Sequence, residues 1–309
     1  MKQFLYLAYK NEHIIEEAIC SILSLLHVSK NKEGLKIIVY TDQVQRMEEY
    51  LAPYAQYIHY EAVDETMIQS WIGQGYFYTL KIKVVQHCLE QFGAKVLFID
   101  SDTFFTKDPS PLFELLQEDQ FVMYVDEYPI HSQMNGELYD LAKKDDRFPL
   151  DFTVWNSGVI GISAAHLSLL HECVNTIDLL YKLLPGQRTI EQIALSITLQ
   201  KKGTISSAES YLVHYWCFKP FRKVLMNHFQ LRSQANATQA AYFHRTDISK
   251  DVGFSSLPIE EVITHIDHAQ VADFNKLLPA LVMQFQQFSD PNFVKYVKNH
   301  FPLESFIYQ

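Results

Sequence analysis

Lys95-Val96-Leu97-Phe98-Ile99 runs straight into Asp100-Ser101-Asp102-Thr103. The first stretch is almost wholly apolar, which predicts a strand buried on both faces. Two carboxylates then stand at i and i+2, just past its carboxyl end. Ligands of open α/β sheets bind beyond the carboxyl ends of the strands. Two hard oxygen donors there suit Mg²⁺ or Mn²⁺ bridging to phosphate oxygens. An Asp-rich turn is the plain alternative, since D-x-D alone is a weak motif; its place after this strand favours the metal.

Outward from that point, strand and helix signals alternate. Phe4 to Ala8 is a short apolar run. Ile15, Ala18, Ile19, Ile22 and Leu26 recur at helical spacing within 14–27. Lys36 to Tyr40 reads as a buried strand, Tyr57 to Tyr60 as a short one, 76–91 as a helix and Phe121 to Val125 as another strand. Residues 127–152 break the rhythm with Pro129, Gly136, a Lys-Lys-Asp-Asp-Arg run and Pro149, which predicts a surface excursion. Val159 to Ile162 resumes strand character, and helices are expected at 164–183 and 189–201. The alternation predicts an α/β fold with a largely parallel sheet. The texture changes near 225, and 257–288 and 293–301 read as helices.

Composition narrows the function. Apolar residues make up 48% of the 309, which excludes intrinsic disorder. The net charge of −10 opposes binding to phosphate backbones, so no nucleic-acid partner is expected. Cys20, Cys88, Cys173 and Cys217 form no C-x-x-C pair and read as reduced thiols of a cytoplasmic protein. No signal peptide or membrane span is expected, and Asn236-Ala237-Thr238 reads as a chance sequon. Gly73-Gln74-Gly75 is not a dinucleotide fingerprint, and no P-loop is present.

Three further segments carry candidate chemistry. Trp155-Asn156-Ser157-Gly158-Val159 offers groups that orient sugar hydroxyls, or an ordinary turn. Thr189-Ile190-Glu191-Gln192 opens a helix with Thr189 as its expected cap. In His214-Tyr215-Trp216-Cys217-Phe218-Lys219-Pro220-Phe221, the imidazole could complete a metal shell and Lys219 neutralise a diphosphate. Trp71, Tyr76, Tyr78, Trp155 and Trp216 stand nearest these motifs and could stack on sugars, core packing being the alternative.

Together and in this order, the segments over residues 1–225 resemble the GT-A glycosyltransferases, nearest to the glycogenin and lipopolysaccharide-galactosyltransferase group known as family 8. The resemblance implies a GT-A catalytic domain at 1–225, a Rossmann-like mixed sheet flanked by helices, and a mainly helical extension at 226–309. It implies Asp100, Asp102 and His214 as metal ligands, with His244 competing for the third place. Asp126, Asn156 and Gln192 would act on the donor sugar. Ala8, Tyr9, Asn11, Lys81, Ser101 and Lys219 would hold the nucleotide. The implied reaction moves a hexose from a UDP-sugar to a glycan, glycolipid or protein, with Mn²⁺ or Mg²⁺ and a retaining outcome; an inverting enzyme would instead need a general base. Glu191 stands for the group's Asp, Phe221 for its Trp, and His214 and Lys219 are five apart rather than six. Lys295 and Lys298 allow at most peripheral membrane contact, and residues 257–301 are apolar enough to bury against a second copy.

Two rival readings remain. Asp100-Ser101-Asp102-Thr103 also resembles the first motif of haloacid-dehalogenase-type phosphatases, with Asp100 as nucleophile and Asp102 as general acid. Alternatively, the fold could bind nucleotide or glycan without turnover.

Overall fold

The computed structural model describes residues 2–216, apart from 74 and 132–135. Lys219, Phe221, His244, Lys295, Lys298 and the expected C-terminal helices lie outside the described residues.

Elements follow in the order β1 (Lys2–Ala8), α1 (Glu12–Val28), β2 (Leu35–Thr41), α2 (Val44–Leu51), β3 (Ile58–Ala62), α3 (Glu65–Ile72), α4 (Thr79–Phe92), β4 (Lys95–Ile99) and β5 (Thr103–Phe105). Then come α5 (Leu112–Leu115), β6 (Gln120–Met123), β7 (Asp126–Pro129), α6 (Gly136–Ala142), β8 (Thr153–Trp155), β9 (Val159–Ser163), α7 (Leu167–Leu183), α8 (Ile190–Lys202), β10 (Thr204–Ser207) and β11 (Leu212–His214). The main sheet has the order β10-β6-β9-β4-β1-β2-β3. Its pairings are parallel except those of β9, which runs antiparallel to both β4 and β6. This is the expected mixed α/β sheet with helices on both faces.

Strand alternation divides the core. Phe4, Tyr6, Leu97 and Ile99 face α1, where Ile15, Ile19, Ile22 and Leu26 are buried. Leu5, Val96, Phe98 and Ile160 face the other way, onto Leu80 and Val84 of α4, Cys173 and Ile177 of α7 and Ile193 of α8. Local signals set the helix ends. Asn11 caps α1 by accepting from the His13 N–H, Asp64 caps α3 by accepting from Met67, and Gly93, at φ 62°, stops α4.

Two expectations need correction. Residues 127–152 are not a bare excursion: β7 and β8 pair as a small two-stranded sheet, α6 lies between them in sequence, and Ile130, Leu138, Phe148 and Phe152 enter the core. Those apolar residues are too widely spaced to form a period. Thr189 precedes α8, but its side chain makes no capping bond and instead lines a cavity. Burial pushes the Cys20 and Cys173 thiols up, and that of Cys88 to about 12, so these three are inert packing residues.

Candidate active site

Two pieces of register build the site. Ile99 at the end of β4 lies opposite Val159 at the start of β9. Because β9 runs backwards, the Asn156-Ser157-Gly158 turn arrives at the carboxyl end of β4, and the Asp100 N–H donates to the Gly158 carbonyl at 2.8 Å. Separately, β11 pairs with β5 so that His214 lies opposite Thr103, while the Tyr215 N–H donates to the Asp102 carbonyl at 3.0 Å. Asp100, Asp102 and His214 thereby converge, their ligand atoms all within 4.8 Å of one another. His214 Nε2 is 3.2 Å from Asp102 Oδ1 and 3.7 Å from Asp100 Oδ2. The ring is buried, with the Tyr124 ring edge-on at 5.3 Å between centroids.

The sugar-turn motif serves this histidine. Asn156 Oδ1 accepts from the Gly158 N–H at 2.9 Å and lies 3.0 Å from His214 Nδ1. A Cβ on Gly158 would stand 2.1 Å from His214 Nδ1, so the glycine makes room for the imidazole. On its other side, Asn156 Nδ2 donates to Glu127 Oε1 at 2.8 Å, and Gln192 Nε2 donates to Glu127 Oε2 at 2.6 Å. Gln192 Oε1 accepts from the Ser157 N–H at 3.3 Å. Glu127 was not among the expected residues. The expected Asp126, its neighbour, is exposed at the cavity wall.

Lys81 sits inside this network. Its Nζ donates to Asp100 Oδ2 at 2.9 Å and to the Ser157 carbonyl and hydroxyl, each at 3.2 Å. Burial pulls its pKa down, yet the carboxylates of Asp100, Glu191 and Asp102 outweigh that and hold it above its ordinary value. Lys81 therefore stays charged, a fixed counter-ion to the aspartates. With its carboxylate partner removed by Asp100→Asn, the buried ammonium would lose its main compensation, as an uncompensated buried charge does.

Glu191 lies beneath them. It accepts from Ser157 Oγ at 3.2 Å and from the Tyr76 hydroxyl at 3.0 Å, and that hydroxyl also contacts the Arg188 carbonyl. Burial pushes the Glu191 carboxyl up, against the pull of Lys81 and Tyr76. A carboxyl that holds its proton more tightly folded than unfolded loses stability as pH rises through the folded value. Glu191→Gln is therefore expected to gain on the parent as pH rises above the ordinary carboxylate range, each kcal/mol giving about 2–4 °C in Tm. Melting curves at several pH values check this, and a gap that stays constant with pH contradicts it.

These groups open onto a cavity of about 830 Å³. Tyr9, Asn11, Lys81, Asp100, Ser101, Asp102, Asp126, Asn156, Gln192 and His214 all line it. Ala8 does not: it is fully buried among the core residues beside α1. Ser101 donates to the Leu7 carbonyl at 3.2 Å, so its hydroxyl is engaged with β1. Tyr9 donates to Glu65 at 2.8 Å, and Lys10 holds that carboxyl down at about 2. Of the five aromatics near the motifs, Tyr78 and Trp216 reach the cavity. Trp71 packs on Tyr40 and His87, Tyr76 is tied to Arg188 and Glu191, and Trp155 packs against the core. Exposed Phe77 also lines the cavity, a position foreshadowed only by the Tyr76-Phe77-Tyr78 run.

The sequence profile of the nucleotide-diphospho-sugar transferases matches residues 53–242. That is more than half of the chain, and the protein belongs to this family. It is accordingly a glycosyltransferase. Apo mouse xyloside xylosyltransferase 1 is similar at 12% identity and a TM-score of 0.49, over 67% of this chain and 84% of that one. The galactosyltransferase LgtC, in complex with donor and acceptor sugar analogues, is similar at 11% and 0.46, over 66% and 73%. The bifunctional glycosyltransferase WbbM, in its apo structure, is similar at 10% and 0.47, over 79% and 51%. No curated protein sequence matches. Family membership displaces the phosphatase reading. Among the described residues no helix is long and apolar enough to cross a membrane.

Proposed function

We propose that the protein is a metal-dependent hexosyltransferase that takes its sugar from a UDP-sugar and delivers it, with retention, to a glycan, glycolipid or protein acceptor. The observation that carries this reading is the Asp100–Asp102–His214 cluster opening onto the cavity. Two carboxylates and one imidazole fit a divalent cation that accepts mixed oxygen and nitrogen donors, which favours Mn²⁺ over Mg²⁺. When bound, such a cation would neutralise charge on the diphosphate leaving group.

The chain's own residues do the rest. Tyr9 and Asn11, just past β1, are placed for the nucleoside, and Ser101 sits between the two aspartates at the same strand ends. Lys81 keeps a positive charge beside Asp100, where a leaving diphosphate would gather negative charge. Asn156 and Gln192, only 4% and 5% exposed, stand in the cavity wall on the side proposed for the donor sugar. Asp126, exposed on the same cavity, is available to sugar hydroxyls. The oxygen of Gln192 is the candidate to steady an oxocarbenium-like centre.

The test is calorimetric titration of UDP into the protein with and without Mn²⁺, followed by turnover with UDP-hexoses. Binding that requires the metal is the expected result. Failure to bind UDP in either condition would overturn the donor assignment.

A further inference from the structure

We infer that Glu127 is a positioning residue: its one carboxylate takes the NH₂ ends of both Asn156 and Gln192, supporting the Asn156 turn and setting which end of Gln192 faces Ser157. The inference rests on the metal reading of Asp100, Asp102 and His214. It starts from the backbone. In the β7–β8 pair, Asp126 lies opposite Trp155 and Tyr128 opposite Val154, so Glu127 is the extra residue of a β-bulge. A bulge re-aims a side chain that regular alternation would send elsewhere. Here the bulged residue meets two motifs at once, the Asn156 turn and the first turn of α8.

Donor and acceptor roles then follow in sequence. An ionised carboxylate only accepts, so both amides must turn their NH₂ ends to Glu127. The Gly158 N–H only donates, and it independently requires the Asn156 oxygen on its own side. That same oxygen is the group 3.0 Å from His214 Nδ1, so the ring carries its proton on Nδ1. Nε2 faces Asp100 and Asp102 and is the nitrogen a cation would take. At Gln192 the same logic turns the oxygen away from Glu127, toward the Ser157 N–H. Outer-shell partners of a metal histidine typically contribute about 10–100-fold in metal affinity.

Substitutions of the two kinds separate the two arms. Glu127→Ala frees Gln192 and leaves Asn156 held by Gly158 alone, and is expected to weaken Mn²⁺ binding, read by calorimetry, by about 10-fold, the low end of the outer-shell range. Glu127→Gln offers only one acceptor. Asn156 keeps its 2.9 Å bond from Gly158, whereas Gln192 has only the longer 3.3 Å bond from Ser157, so Gln192 turns round. Mn²⁺ affinity is then retained, while the Gln192 side-chain NH₂ loses its downfield, slowly exchanging NMR signal. In the metal-free parent, long-range ¹⁵N–¹H correlation should find a proton on His214 Nδ1. His214 Nδ1 without a proton, or full Mn²⁺ affinity in a folded Glu127→Ala, overturns the inference. A parent that binds no Mn²⁺ overturns the metal reading instead, and the Gln192 NH₂ signal of Glu127→Gln then still decides whether the clamp exists.

Discussion

Asp102→Asn is expected to abolish the metal dependence of UDP binding and to lower turnover by about 10²–10³-fold. The substitution removes one negative charge and one hard oxygen ligand from a cluster whose ligand atoms lie within 4.8 Å of one another. The fold should survive, because the group that holds Tyr215 is the Asp102 backbone carbonyl, which asparagine keeps. His214 Nε2 also keeps a neighbour, since the asparagine oxygen can stand where Oδ1 stood, 3.2 Å away. Calorimetry with and without Mn²⁺, set beside a melting curve, separates loss of ligand from loss of structure. Undiminished metal-dependent binding in a folded Asp102→Asn would put the cation elsewhere.

Gly158→Ala is the second large effect. The added methyl would lie 2.1 Å from His214 Nδ1 and 2.3 Å from Cε1. The backbone at 158 cannot retreat freely, because its carbonyl accepts from Asp100 and its N–H donates to Asn156. The ring must move, and Tyr124 stands against it. Overpacking of this kind costs about 1–3 kcal/mol, and a displaced imidazole should lower Mn²⁺ affinity by about 10–100-fold, as loss of an orienting partner does. His214→Ala combined with Gly158→Ala removes the clash, so the double variant should melt above the sum of the single losses. Strict additivity would mean that the methyl and the ring do not meet.

Much of this was legible in the residues. Lys95 to Ile99 reads as a buried strand and is β4, and the carboxylates after it do meet His214. Helix α1 follows from the spacing of Ile15, Ile19, Ile22 and Leu26, all buried. What escaped was short or irregular. β5 and β11 are three residues each, too short for alternation to declare itself, yet their pairing delivers the histidine. Glu127 escaped because a bulge breaks the period that would have located it, and attention fell on Asp126 beside it. Gly158 clears space for a side chain more than fifty positions away, a requirement that no local motif declares.

The pairing of Thr103 with His214 bears on how the chain is made. Asp102 and His214 are 112 positions apart. While the ribosome has delivered both aspartates but not yet β11, no imidazole stands beside them and β5 lacks its partner strand. Because β11 is the last strand of residues 2–216 to be synthesised, the Asp100–Asp102–His214 cluster is among the last features there to be completed. A truncated or stalled product that stops before Leu212 carries the whole seven-stranded sheet and both aspartates, but not the completed cluster.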